Sequence, residues 1–219
     1  MNSFMKKDDA RVYEQLQQEW VDALRNSPTE QEGRSDWSFV QRRLGSASPA
    51  LLFAQLEDVR SYWKELLGPA RLEPYVDRFV SPAWTVKDLI AHVASWSCEL
   101  RQQVETVAGG ESITRGIPYA LSVIGPNEWN AVEVEKRRPR NVGRLLQEFE
   151  KETTLMQELV LDLPERALHD EKAFGLAPSG DPSALWRGTI AQVVLLKCGH
   201  DRYHMEHIRR LQEVIEQIA

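Results

Sequence analysis

Near its end the chain reads CGHDRYHMEHIRRL, from Cys198 to Leu211. Three of its five histidines, His200, His204 and His207, fall in this stretch. Imidazole is the commonest metal ligand, and rings four residues apart on a helix can aim at one point. With His200 as origin on a 3.6-residue helix, His204 falls near ~40° and His207 near ~-20°. Val193, Leu196 and Leu211 share that stripe, which therefore faces a core. A buried ring needs a partner there, either an ion or a hydrogen bond. Two histidines rarely make a tight metal site, so a third ligand must come from elsewhere. His92 stands between Leu89 and Trp96 on the apolar stripe of another segment, and His169 could reach from a loop. Core histidines that merely hydrogen-bond fit the same spacing, so spacing alone leaves both readings open.

Other polar residues have less to offer. Cys198 lies about 160° from the His200 direction, a poor ligand position. Asp201 is expected at the helix surface, away from the stripe. Asp88 is expected to cap a helix, and Glu99 lies on the His92 segment. Tyr203, near ~-60°, could border a cavity as a hydrogen-bond donor. Trp96 and Trp129 could line a pocket or fill a core. No Ser-His-Asp order, phosphate-binding loop or dinucleotide fingerprint is present.

The elements that must position these residues are helical. No segment alternates convincingly as a strand, and no hairpin turn joins two apolar runs. Val12, Leu16, Trp20 and Leu24 mark an amphipathic segment over about residues 8 to 25. A turn-rich stretch follows, and Ser48-Pro49 then offers an N-cap and first-turn pair. Leu52, Leu56, Val59, Trp63 and Leu66 form the next stripe, stopped by Gly68-Pro69. Thr85 and Asp88 open the His92 segment as a short capping box, and Gly109-Gly110 closes it. A loop of about thirty residues is expected next, long enough to serve as a functional cover. A fourth segment runs over about residues 139 to 163, up to Pro164. After an irregular stretch the last helix is expected from Pro182-Ser183 to the end, with the histidines at its middle. The pattern predicts an all-α bundle over residues 48–219, with an N-terminal helical extension over 1–47.

Composition narrows the function classes. A formal net charge of -6 gives no electrostatic footprint for nucleic acid. The Lys136-Arg137-Arg138-Pro139-Arg140 run is expected as a solvated junction between helices. Two cysteines are too few for a secreted disulfide framework. With no apolar leader or membrane-length run, the expectation is a cytoplasmic chain with no membrane partner.

Two stretches resemble a known family. Trp84-Thr-Val-Lys-Asp-Leu-Ile-Ala-His92-Val-Ala-Ser-Trp96 is similar to a helix signature of the DinB-like superfamily. His200-Asp-Arg-Tyr-His204, with Ile208 following, is similar to its final-helix signature. Trp129-Asn130 and the helix ending at Pro164 resemble the branch that holds the ClbS-type proteins. The resemblance covers about residues 48 to 217. It implies a four-helix bundle with a divalent metal (zinc, nickel or iron) held by His92, His200 and His204. It further implies a small-molecule substrate, and chemistry of thiol transfer, isomerisation or hydrolysis, in some relatives with a low-molecular-weight thiol cofactor. ClbS-type relatives open a strained electrophilic ring, which gives an alternative: a protection or ligand-binding protein with no obligatory metal. A third alternative is an interaction protein whose histidines are structural. His207 stands where the family usually has Gln, and could be a fourth ligand, a donor orienting His204, or neither. The N-terminal stripe has no counterpart in the family pattern and could cover the bundle or form a homodimer contact.

Overall fold

The computed structural model describes residues 47–68, 73–80, 84–111, 126–175 and 186–218. The amphipathic segment expected near residues 8 to 25, and with it all of the N-terminal extension before Ala47, lies outside these residues.

Four long helices form the body. Helix α1 (Pro49–Leu67) starts where Ser48 Oγ accepts from the Leu51 N–H at 3.2 Å, with proline in its first turn. Its Leu52, Leu56, Val59 and Trp63 are buried, as the stripe predicts. Helix α2 (Val86–Ala108) opens on a full capping box. Thr85 Oγ1 accepts from the Asp88 N–H, and Asp88 Oδ2 accepts from the Thr85 N–H. Two orphan amides are satisfied together, which fixes where the His92 helix begins.

The long loop expected after α2 is in part a helix, α3 (Pro126–Arg137). It packs on α2, burying Trp129, Asn130, Glu133, Val134 and Arg137. Its interior face mixes apolar and polar residues, so hydrophobic periodicity underreported it. Helix α4 (Val142–Asp162) is capped by Asn141, whose Oδ1 accepts from the Arg144 N–H at 2.9 Å.

The basic run is indeed the α3–α4 junction, but its charges are paired. Lys136 pairs with Glu133, Arg137 with Glu133 and Glu148, Arg138 with Asp88 and Glu135, and Arg140 with Glu148. Arg137 is buried and solvent does not screen it. Through Arg138 the junction is tied to the cap of α2.

Beyond the short helix α5 (Glu165–His169), two strands appear where none was expected. Strand β1 (Lys172–Phe174) pairs antiparallel with β2 (Trp186–Gly188). Three residues per strand are too few to show alternation. Gln103 of α2 accepts from the Gly175 N–H at 2.9 Å, so the end of β1 is pinned to the bundle.

The last helix, α6 (Ile190–Ile218), begins later than Pro182-Ser183 suggested. Its start is a second reciprocal box: Gln192 N–H donates to Thr189 Oγ1, and Thr189 N–H to Gln192 Oε1. Around the bundle, α1 packs on α4, α4 on α2, α2 on α6, and α6 on α1. Helices α4 and α6 thus face each other across the diagonal. No described helix is long and apolar enough to cross a membrane.

Candidate metal centre

His92, His200 and His204 meet at the seam between α2 and α6. Their ring nitrogens include one from each that lie within 4.8 Å of one another. His92 Nε2 stands 3.0 Å from His200 Nε2. The ring centroids are 5.0, 4.8 and 4.5 Å apart for the 92–200, 92–204 and 200–204 pairs. His92 and His204 are each 2% exposed, and the His200 side chain is 16% exposed. One edge of the cluster therefore meets solvent.

The donor set fits a divalent ion of the imidazole-binding group. Two nitrogens about 2.0–2.1 Å from one ion lie about 2.9 Å apart at a right angle and about 3.4 Å apart at the tetrahedral angle. The observed 3.0 Å falls between them. Three rings on one side of an ion would leave its other positions for water or substrate.

Aromatic rings wall the cluster. Trp84 stands 4.7 Å from His92 between centroids, and Trp96 stands 6.1 Å from His200. Trp129 packs edge-on against Trp96 at 4.7 Å. Trp96 Nε1–H donates to Asn130 Oδ1 at 2.9 Å, which fixes the indole against α3. Trp96 thus borders the cluster, while Trp129 is buried against Trp96. Tyr203 is buried beside it, with its ring 5.2 Å from His204 and 4.5 Å from His207.

His207 is half-buried, 5.7 Å from His204 between centroids, and does not belong to the three-nitrogen cluster. Its ring packs edge-on against Tyr203, 4.5 Å away between centroids. His169, at the end of α5, is also outside the cluster.

A match to a family model covers residues 55–208, more than two thirds of the chain, and its description is the DinB superfamily. The chain belongs to the DinB superfamily. Comparison with curated proteins and with solved structures returned no significant match. The matched span contains all three histidines of the cluster, all of α2 and α4, and most of α1 and α6.

Asp201 is the main correction. It was expected at the helix surface, but it is fully buried. Its Oδ2 accepts from Lys197 Nζ at 2.6 Å, and its Oδ1 faces His200 Nδ1 at 3.3 Å. The stripe argument failed because α6 is buried around most of its circumference here, from Val193 through His204, with Leu196 and His200 only partly exposed. Lys197 was missed altogether, although its i, i+4 spacing to Asp201 was legible as a charge pair.

Two thiols and one acid complete the electrostatics. Burial pushes the Cys198 thiol up to about 12, so it supplies no thiolate at neutral pH. Cys98 is half-buried and shifted up for the same reason. Burial also raises Glu99, two turns along α2 from His92. Its hydrogen bond from Gln103 opposes that shift, and the Glu133 carboxylate adds to it. Asp88 keeps the capping role expected of it.

Proposed function

We propose that this DinB-superfamily chain is a metal-dependent enzyme acting on a small electrophile. His92, His200 and His204 hold one divalent ion, zinc, nickel or iron, in an open three-nitrogen site. Bound there, the ion would lower the pKa of a water or of a low-molecular-weight thiol and so supply a nucleophile at neutral pH. The reaction class is thiol transfer, isomerisation or hydrolysis. The observation that carries the reading is the convergence of three imidazoles from two helices, with two ring nitrogens 3.0 Å apart.

The chain's own residues do the rest. Trp84 and Trp96 keep one side of the cluster dry, which strengthens electrostatic interactions at the reacting atoms. Asn130 holds Trp96 in place from α3. The buried Cys198 thiol is unsuited to be the nucleophile, so the thiol in a transfer reaction would come from a diffusible cofactor.

The test is elemental mass spectrometry on protein purified without an affinity tag, beside His92→Ala and His200→Ala. About one ion per wild-type chain, lost in both variants with helical content kept, supports the reading. A wild type that takes up no zinc, nickel or iron, even after each is added back, refutes it. With metal established, strained-ring and activated-halide electrophiles would be assayed with and without a small thiol. Thiol consumption separates transfer from hydrolysis.

A further inference from the structure

Lys197 and Asp201 lie one turn apart on α6 and both side chains are fully buried. Lys197 Nζ reaches across the bundle diagonal to α4. There it donates to Thr153 Oγ1 at 3.2 Å and stands 4.9 Å from the Phe149 ring centroid. It also donates to Asp201 Oδ2 at 2.6 Å. The second carboxylate oxygen, Oδ1, is 3.3 Å from His200 Nδ1.

We propose that Thr153, Lys197 and Asp201 form a buried relay that sets the tautomer and orientation of His200. The inference rests on reading the three histidines as a metal site. An ionised carboxylate only accepts hydrogen bonds, so the ring nitrogen facing it must carry the proton. The proton on Nδ1 leaves the Nε2 lone pair directed at His92 Nε2, where an ion would sit. Thr153 and Lys197 act one step further out. They hold Asp201 by its other oxygen, so the carboxylate cannot rotate away from the ring. A buried ion pair is a poor way to gain stability, since apolar residues of similar volume do as well or better. Orienting a ligand gives the pair a role that apolar residues cannot fill. Asp201, Lys197 and Thr153 are positioning residues; none belongs to the three-nitrogen cluster.

The test compares full-length wild type with two pair variants. One is Lys197→Met with Asp201→Leu, which removes both charges and the acceptor. The other is Lys197→Met with Asp201→Asn, which removes both charges but keeps an oxygen beside His200. Nitrogen-15 NMR of the metal-free protein reads the His200 tautomer. Chelator competition with zinc reads affinity. The expected wild-type tautomer carries its proton on Nδ1. The Met/Leu pair loses that preference and binds zinc about 10–100-fold more weakly. The Met/Asn pair keeps the tautomer and recovers most of the affinity.

A wild-type His200 protonated on Nε2 overturns the relay without any variant. So does a folded Met/Leu pair with the wild-type tautomer and unchanged zinc affinity. If the wild type binds no zinc, nickel or iron, the metal reading fails, and the tautomer measurement still decides whether Asp201 orients the ring.

Discussion

Replacing Lys197 by Met should destabilise the protein far more than replacing Lys197 and Asp201 together. Both side chains are fully buried, and Asp201 Oδ2 has its short 2.6 Å contact to Nζ. Removing the ammonium leaves a carboxylate in the bundle interior without its cation, at a cost of about 3–5 kcal/mol. For a chain of this length each kcal/mol moves the midpoint by about 2–4 °C, so Tm should fall by ~6–20 °C. The Met/Leu pair removes both desolvation penalties and fills the space with apolar atoms. It should lie within about 1 kcal/mol of wild type or be more stable. The assay is thermal and urea unfolding followed by far-ultraviolet circular dichroism on metal-free protein, which removes any contribution from a bound ion. A single variant that loses less than about 1 kcal/mol would refute the claim that Lys197 neutralises a buried charge. A double variant as unstable as the single would show that shape, rather than charge, is what the site needs.

Other consequences can be checked directly. Glu99 is raised by burial, so the unfolded chain gives up this proton at lower pH than the folded one. Stability should fall as pH rises from the ordinary carboxylate value, 4.5, through the higher folded-state pKa. Glu99→Gln should flatten that part of the profile and raise Tm at neutral pH; an unchanged profile would mean that Glu99 is solvated. Cys198 should resist iodoacetamide in the native protein and react only on unfolding, as read by mass spectrometry. Thr85→Ala removes one arm of the capping box that starts α2 and should cost about 0.5–2 kcal/mol in urea unfolding. A cost near zero would show that α2 is held by its packing alone.

The bundle and its site were legible in the sequence to different depths. Stripes such as Leu52, Leu56, Val59 and Trp63 repeat at helical spacing, and the caps at Ser48 and Thr85 are residue types favoured at helix starts. His200 and His204 share a helix face and His92 breaks an otherwise apolar stripe, which made them candidates, and the family resemblance implied the three as one set. Helix α3 was lost because its buried face carries Asn130, Glu133 and Arg137, which are paired with Trp96, with Arg137 and with Glu148 respectively. The start of α6 was misplaced although Thr189 and Gln192 spell a capping box; Pro182-Ser183 drew the boundary forward. Asp201 was misread because angular position predicts burial only for a helix with one wet side. A helix whose neighbours close over it on several sides can bury charged residues as well as leucines, provided they bring their own counterions. Residues 1–46 of the expected extension fall outside the described residues.

His92 and His200 are 108 positions apart in the chain, and their nitrogens touch at 3.0 Å. Whatever joins them, a shared proton or an ion, closes a loop that spans most of α2, all of α3 and α4, and the first part of α6. A covalent crosslink around a loop of about 100 residues restricts the unfolded chain by about 4.7 kcal/mol in the chain-entropy model. An ion held by both helices would act on the same loop as a reversible clasp. Chelation would then loosen the seam as well as empty the site, and the first protease cuts should appear within that loop.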